Sequence, residues 1–237
     1  MRLRVRCVID EFLEFHPFYA DLLEPEFVAL SSISSLEDFS SFGTALGAFH
    51  LEFKGKEISD LELRDAAWFS RASPYVLAEV ASLAERGEYE ISLAETELLE
   101  QAGVMIAELS EPLSGLFSSL VHGNCTLENA GFIKSRAVLR NWDDACLGLP
   151  WLDIAVLSAG VERISSEALM GLISSYAEAA DYPVGVVGDL VPFCRALHDV
   201  LVLDRWNTEL SSGTRVSGSF KLESRALIRR LLELSGA

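Results

Sequence analysis

Apolar side chains recur along most of the chain at steps of three and four residues, the spacing that places them on one face of an α-helix. The first stripe follows Ser35, which suits an N-cap. A second predicted helix begins at Ser73-Pro74, and a third at the capping-box pair Ser92 and Glu95. The pattern predicts a mainly helical protein. The apolar positions are Phe39, Phe42, Leu46, Phe49 and Phe53; Leu77, Val80 and Leu83; Leu98, Ala102, Met105, Ile106 and Leu109; Leu169, Leu172, Ile173 and Tyr176; Phe193, Leu197 and Leu201, after Asp189; and Leu227, Ile228, Leu231 and Leu232.

Strand signals are few. Two short apolar runs, Phe132–Ile133 and Ala137–Leu139, flank a polar turn and predict a small hairpin. In residues 2–9, Arg2, Arg4 and Arg6 alternate with Leu3, Val5 and Cys7, which suits an edge strand with one solvent-exposed face. Connections are expected around residues 54–58, 86–91, 182–188 and 211–219, where glycine, serine and charged residues concentrate. The predicted fold class is therefore mainly α (α+β).

Charge excludes several classes of partner. The 237-residue chain carries 19 Lys and Arg against 36 Asp and Glu, a formal net charge of −17. Such a field repels nucleic acid and anionic lipid, so neither a nucleic acid nor a membrane is an expected partner. The start of the chain lacks the apolar region of a secretory signal. Cys7, Cys125, Cys146 and Cys194 form no CxxC pair, which favours reduced thiols in a cytoplasmic protein.

Chemistry-bearing residues concentrate between Leu120 and Ala155. The first motif there is His122-Gly123-Asn124, followed after four residues by Asn129. The second, Asn141-Trp142-Asp143-Asp144, follows the predicted hairpin and precedes a Gly-Leu-Pro turn and Asp153. Motif order and spacing resemble those of the aminoglycoside phosphotransferase and choline kinase-like family, whose loop reads His-Gly-Asp, four residues, Asn.

The resemblance covers roughly residues 36–205 and implies the helical C-terminal lobe of the kinase-like phosphotransferase fold. Residues 42–50 and 172–183 are similar to the family's helix ending in Leu-His and its later helix with a tyrosine. The family places a phosphate-covering loop and a strand lysine ahead of this lobe. Here the first glycine is Gly43 and the first lysine Lys54. We therefore expect a truncated or absent N-terminal lobe, with residues 1–35 as a short remnant or arm and residues 36–237 as the C-terminal lobe.

Two positions where the resemblance implies aspartate hold asparagine. The aspartate matching Asn124 would orient or deprotonate the acceptor hydroxyl, whereas an amide has no usable basicity at neutral pH. The aspartate matching Asn141 would hold magnesium together with Asn129, and its replacement removes one full charge from a site for a hard cation. The leading interpretation is a catalytically degenerate, pseudokinase-like protein that acts as a binding or regulatory module and needs no cofactor.

Other interpretations stay open. Asp143 or Asp144 could supply the lost metal ligand beside Asn129 and Asn141, which would make the chain an active small-molecule phosphotransferase using ATP and Mg²⁺. The lobe could also be repurposed for non-phosphoryl chemistry. From the resemblance, His122 is expected to be structural rather than a base, and Asp153 to brace the loop by accepting backbone hydrogen bonds.

Two further hypotheses concern metals and partners. Cys125, with His122 and Cys146, suggests a thiol nucleophile or a zinc site, a signal weaker than the structural interpretation. The retained cleft around the asparagines and Asp143 is expected to hold a small molecule or a protein segment. A lobe without its counterpart exposes apolar surface, so a homo- or hetero-oligomer is expected to cover it.

Overall fold

The computed structural model describes residues 26–33, 35–114, 116, 118–213 and 220–234. This part of the chain forms seven α-helices and six short strands, which confirms the predicted mainly helical fold class. None of its helices is both long and apolar enough to cross a bilayer. The elements are β1 (Phe27–Ala29), α1 (Leu36–Glu52), β2 (Leu63–Arg64), α2 (Ala66–Glu85), α3 (Leu93–Ser110), β3 (Ser119–Val121), β4 (Ala130–Ile133), β5 (Arg136–Leu139), β6 (Cys146–Gly148), α4 (Trp151–Val161), α5 (Ser166–Ala179), α6 (Val184–Ser211) and α7 (Phe220–Leu234).

The strands form two three-stranded sheets, with orders β1-β4-β5 and β2-β6-β3. β4 and β5 pair antiparallel from Ala130↔Leu139 to Ile133↔Arg136, which confirms the predicted hairpin. β1 pairs antiparallel with β4, and the strand predicted for residues 2–9 lies outside the described residues. The division predicted at residue 35 stays a prediction. The sheets matter for function because β3 leads into the loop at residues 122–129 and β5 leads into Asn141.

The described residues divide into two compact units, and the first comprises 26–64 and 118–194. It contains both sheets together with α1, α4, α5 and the start of α6. α1 packs closely on α5 because two glycines of α1 face the α5 backbone. A Cβ added at Gly43 would lie 2.5 Å from the Leu172 carbonyl oxygen, and one at Gly47 would lie 2.5 Å from the Tyr176 carbonyl oxygen. Any side chain at either position would force the helices apart.

The second unit comprises residues 65–116 and 195–234, with α2, α3, α7 and the rest of α6. The capping box predicted for α3 is confirmed: Ser92 Oγ accepts from the Glu95 amide at 3.3 Å, and Glu95 Oε2 accepts from the Ser92 amide at 2.6 Å. α3 pairs with α2 where Gly103 meets Pro74, since a Cβ added at Gly103 would lie 3.0 Å from Pro74 Cα.

One predicted helix start is wrong, and one predicted connection is longer than the observed one. α2 begins at Ala66 rather than at Pro74, because Asp65 caps it by accepting from the Trp68 amide at 2.8 Å. Pro74 lies inside the helix, where buried neighbours such as Phe69 and Leu77 hold the helical path despite the missing N–H donor. α6 begins at Val184, so the connection expected over residues 182–188 is shorter and Asp189 lies within the helix.

Candidate functional site

The loop that carries the first motif starts directly after β3 and is closed by backbone hydrogen bonds between nearby residues. The Thr126 amide donates to the Asn124 carbonyl at 2.9 Å, and the Asn129 amide donates to the Thr126 carbonyl at 3.1 Å. Gly123 has a φ of +76°, and a Cβ added there would lie 2.2 Å from the Asp144 carbonyl oxygen. Only glycine fits this position, so the loop and the turn at residues 142–144 lie in direct contact.

Asp153 lies in the first turn of α4 and is fully buried. Its Oδ2 accepts from the His122 amide at 2.7 Å, and its Oδ1 accepts from the Gly123 amide at 3.0 Å. Burial alone would raise the pKa of Asp153. The hydrogen bonds that His50 and the His122 amide donate to this carboxylate outweigh burial and hold its pKa below the usual range. An ionised carboxylate therefore accepts two consecutive N–H groups of the loop.

Two residues behind Asp153 complete a buried polar chain. His50 of α1 places Nε2 3.3 Å from Asp153 Oδ2 and Nδ1 2.9 Å from the Tyr176 hydroxyl of α5. Burial raises the pKa of Tyr176 well above its usual value, so the phenol keeps its proton. The consistent assignment is that Tyr176 donates to His50 and that His50 donates to Asp153.

The apolar stripes predict both helices but not the contact between His50 and Tyr176. The signal was present: His50 follows Leu46 by four residues, and Tyr176 follows Leu172 by four. A polar side chain on an apolar stripe is buried with the stripe and needs a partner there.

His122 is buried and its two ring nitrogens are both engaged. Nε2 donates to the Arg140 carbonyl at 2.6 Å, while Nδ1 accepts from the Asn124 amide at 3.2 Å. One nitrogen donates and the other accepts, which defines a neutral ring. Burial lowers the pKa of His122 against the opposing effects of Asp153 and Asp144, in agreement with that assignment. The ring has no lone pair to offer a substrate, and this geometry favours a structural role over that of a base.

The three asparagines of the two motifs lie together. Asn129 donates from Nδ2 to the Asn124 carbonyl at 2.9 Å, and its own Oδ1 accepts from Asn141 Nδ2 at 2.7 Å. Asn141 adopts a left-handed conformation with φ of 61°, which asparagine tolerates better than most residues. We call this arrangement the amide chain. In this arrangement the Asn129 side-chain oxygen accepts an N–H group of Asn141.

The carboxylates that could replace the missing ligands are placed less favourably. Asp143 is exposed and Asp144 is half-buried, both in the turn that follows Asn141. Across the described ranges, no group of three or more His, Cys, Asp or Glu is arranged to hold a metal ion. Hard cations prefer anionic oxygen ligands, so the amide chain does not fit Mg²⁺.

The cysteine hypotheses find no support in the site either. Cys125 and Cys146 are both buried. Burial raises the pKa of both thiols, that of Cys146 to about 12. The thiolate is the form that attacks substrates and binds zinc, so neither residue suits that chemistry at neutral pH.

The first unit thus combines three features: a loop with a glycine after a short strand, a hairpin that follows this loop, and a buried aspartate that binds the loop amides. Together they define a class of protein fold. This is the architecture of the kinase-like phosphotransferase fold, in its helical part. The resemblance seen in the motifs predicts the same fold.

Comparison with known proteins agrees on the fold. No family model matches the sequence, and no curated protein matches it. Solved structures do: choline kinase LicA from Streptococcus pneumoniae superimposes with a TM-score of 0.66 at 16% identity, over 98% of this chain and 80% of LicA. The ADP-bound aminoglycoside phosphotransferase APH(2'')-Ib gives 0.63 at 13% identity, over 99% and 83%. A choline/ethanolamine kinase family protein from Mesorhizobium loti gives 0.61 at 14% identity, over 93% and 72%. The predicted kinase-like phosphotransferase fold is thereby confirmed.

The buried histidine makes stability depend on pH. We expect the free energy of unfolding to fall as the pH is lowered from about 7.5 to about 5.5, because unfolded His122 takes up a proton near its ordinary pKa of about 6.5 while the folded ring, with its lowered pKa, does not. Asp153, whose folded pKa is also lowered, adds to this loss only below about pH 4.

Urea unfolding at several pH values measures this dependence. The variant His122→Asn should show a flatter dependence in the same pH window, whatever its absolute stability. Parallel curves for the variant and the natural chain would contradict the assignment of a neutral, buried His122.

Proposed function

We propose that this protein is a catalytically degenerate member of the kinase-like fold that acts as a binding or regulatory module, with its ligand held at the loop of residues 122–129. The observation that carries the proposal is the amide chain. The side chains of Asn129 and Asn141 share a hydrogen bond at 2.7 Å, and Asn129 also donates to the backbone carbonyl of Asn124 at 2.9 Å. They keep the shape of a catalytic loop and carry no charge.

Electrostatics supports this proposal. A unit charge interacts with another at about 4 Å by roughly 4 kcal/mol in an effective dielectric of about 20. Because two asparagines stand in place of two carboxylates, a divalent cation and the phosphates that it would hold are stabilised much less at this loop. Asn124 also cannot accept the proton of an attacking hydroxyl. With His122 engaged at both ring nitrogens, neither His122 nor Asn124 can act as a general base.

The ligand would be a small molecule or a segment of a protein partner. Asn124 is half-buried, while Asn141 and Asp143 are exposed, so amide and carboxylate groups are accessible beside the loop. LicA is named a choline kinase and APH(2'')-Ib an aminoglycoside phosphotransferase, and APH(2'')-Ib has been solved with ADP. This chain would keep their scaffold without metal-dependent transfer.

A second candidate is an active phosphotransferase with Asp144 as an atypical metal ligand. Its support is that the turn carrying Asp144 lies against Gly123, and that the charge of Asp144 acts on His122. In that case ATP with Mg²⁺ or Mn²⁺ would bind at the loop.

A thermal-shift titration with ATP plus Mg²⁺ or Mn²⁺ separates the two. We expect no stabilisation, whereas a nucleotide at 100 times its dissociation constant would add about 2.7 kcal/mol. The variant Asp144→Asn is the control. If ATP stabilises the natural chain and Asp144→Asn abolishes the effect, the second candidate is correct and the proposal fails.

A further inference from the structure

Exposed apolar side chains lie on α2 and α3 of the second unit. Tyr75 on α2 is 82% exposed, and Leu93 and Val104 on α3 are 76% and 51% exposed. Single exposed apolar residues are ordinary on protein surfaces. Tyr75 and Val104 form an apolar patch, provided that both face the same way, and Leu93 lies about 16 Å further along α3.

Helix geometry places these residues on one side. α2 and α3 are joined by residues 86–92, and their contact point, Pro74 against Gly103, lies about midway along both helices. In such an antiparallel pair, the residues that follow the two contact residues turn to the same side, because successive positions rotate by about 100° in opposite senses. Tyr75 and Val104 are these residues.

Glutamates share this side. Counting back from Val104, steps of four and seven reach Glu100 and Glu97, and one step of four forward reaches Glu108. All three are exposed, and Leu93 continues the same row. We define the α2–α3 face as Tyr75, Leu93, Glu97, Glu100, Val104 and Glu108.

On α3, all charged residues of this face are acidic. No lysine or arginine occurs between Arg86 and Lys134 in the sequence. The cations that α7 brings to the neighbouring acids are already paired: Lys221 contacts Glu90 at 2.7 Å and Arg225 contacts Glu95 at 3.7 Å. On α2, Arg71 is the basic residue of this side. The negative charge of the glutamates on this face is therefore largely uncompensated.

We propose that the α2–α3 face docks a basic amphipathic helix of a partner protein. The apolar side of that helix would cover Tyr75 and Val104 in the furrow between the two helices, and its lysines or arginines would pair with Glu97, Glu100 and Glu108. Recognition would follow the helix-in-groove mode, with affinity from the apolar contacts and selection from charge.

Charge complementarity selects this occupant over the others. A second copy of this chain would bring a molecule of net charge −17 against an acidic face. An anionic membrane surface would be repelled in the same way. This inference is independent of the ligand proposed for the loop of residues 122–129.

The test uses the full chain and a labelled synthetic peptide of about 18 residues, five helical turns, with leucine at helical i, i+3, i+4, i+7 spacing and lysine elsewhere. A scrambled peptide of the same composition, without an apolar face, is the control. In fluorescence anisotropy at fixed salt, we expect the amphipathic peptide to bind at least about tenfold more tightly, a difference of about 1.4 kcal/mol. Equal binding of both peptides would show unspecific attraction to an acidic protein and overturn the proposal.

Variants locate the binding surface. Tyr75→Ala should weaken binding of the amphipathic peptide about tenfold, as expected for a central aromatic contact. Glu97→Gln with Glu100→Gln should weaken binding and reduce its salt dependence. The matched controls are Glu57→Gln with Glu178→Gln, an equal charge change at exposed sites of the first unit, and Leu222→Ala on α7. These should bind the peptide as the natural chain does.

Two further outcomes would refute the inference. One is that the face variants, shown by circular dichroism to be folded, bind the peptide as tightly as the controls. The other is a natural chain that self-associates in sedimentation while Tyr75→Ala stays monomeric, which would make a second copy the occupant.

Discussion

The variant Asp153→Asn should lose about 3–5 kcal/mol of unfolding free energy, the range found when a buried charge network loses one member. The reason lies in the donors around the carboxylate. The amides of His122 and Gly123 point at its two oxygens, and the His50 ring adds a third contact at 3.3 Å. An asparagine presents one oxygen and one NH₂ group, so at least one N–H donor would face another donor in a fully buried place.

Urea unfolding with linear extrapolation measures this loss, and Asp143→Asn is the matched control. Asp143 is exposed, so the same chemical change there should stay within about 0.5 kcal/mol. Hydrogen exchange gives a second measurement: the amides of His122 and Gly123 should exchange faster in Asp153→Asn. A variant at position 153 as stable as the control, with unchanged exchange, would remove Asp153 from its role as the brace of the loop.

Local signals account for what the sequence predicted well. The hairpin at residues 130–139 and the capping box at Ser92 and Glu95 each depend on a few neighbouring residues, and both are confirmed. The same reasoning was wrong for α2 because Ser73-Pro74 is a strong local start signal. Phe69 and Leu77 are buried on one continuous face of α2, and this tertiary packing outweighs the local preference for a helix start at Ser73-Pro74.

The buried contacts of His50 with Tyr176 and Asp153 could not be predicted from local sequence signals. His50 contacts Tyr176 across 126 residues of sequence and Asp153 across 103. The sequence placed the histidine and the tyrosine on apolar stripes, but stripes do not say which helices face each other. The close approach of α1 and α5 at Gly43 and Gly47 decides that, and its clue in the sequence is two glycines four residues apart in a helix.

The amide chain could be predicted from the sequence only in part. The identity of Asn124, Asn129 and Asn141 was plain in the sequence, and it predicted the missing charge. That Asn141 Nδ2 lies 2.7 Å from Asn129 Oδ1 depends on the register of the hairpin and on the left-handed backbone at Asn141. The structure thus shows a hydrogen bond between two amides where the resemblance implies metal ligands.

The double variant Asn124→Asp/Asn141→Asp should bind a divalent cation more tightly than the natural chain does. Each substitution adds one negative charge at a position where the loop already has a compatible shape, and each pair of unit charges at about 4 Å contributes roughly 4 kcal/mol in an effective dielectric of about 20. The carboxylate introduced at position 141 could not donate to Asn129, so the Asn129 oxygen would be released to the cation. We expect Mn²⁺ to bind with a dissociation constant below about 1 mM, that is, a free energy of about −4 kcal/mol or better.

Calorimetric titration and the electron paramagnetic resonance of free Mn²⁺ measure this gain, and charge alone must be separated from site geometry. The variant Ala48→Glu/Gln101→Glu adds the same two charges at exposed helix positions and should bind Mn²⁺ no better than the natural chain. Each single substitution at the loop should fall between, because one new carboxylate leaves half of the lost charge unrestored. If the double loop variant binds no better than the helix control, missing charge is not what keeps a cation from this loop. If the natural chain already binds Mn²⁺ as tightly as the double variant, the amide chain is a metal site after all, and phosphoryl transfer becomes the better account of this protein.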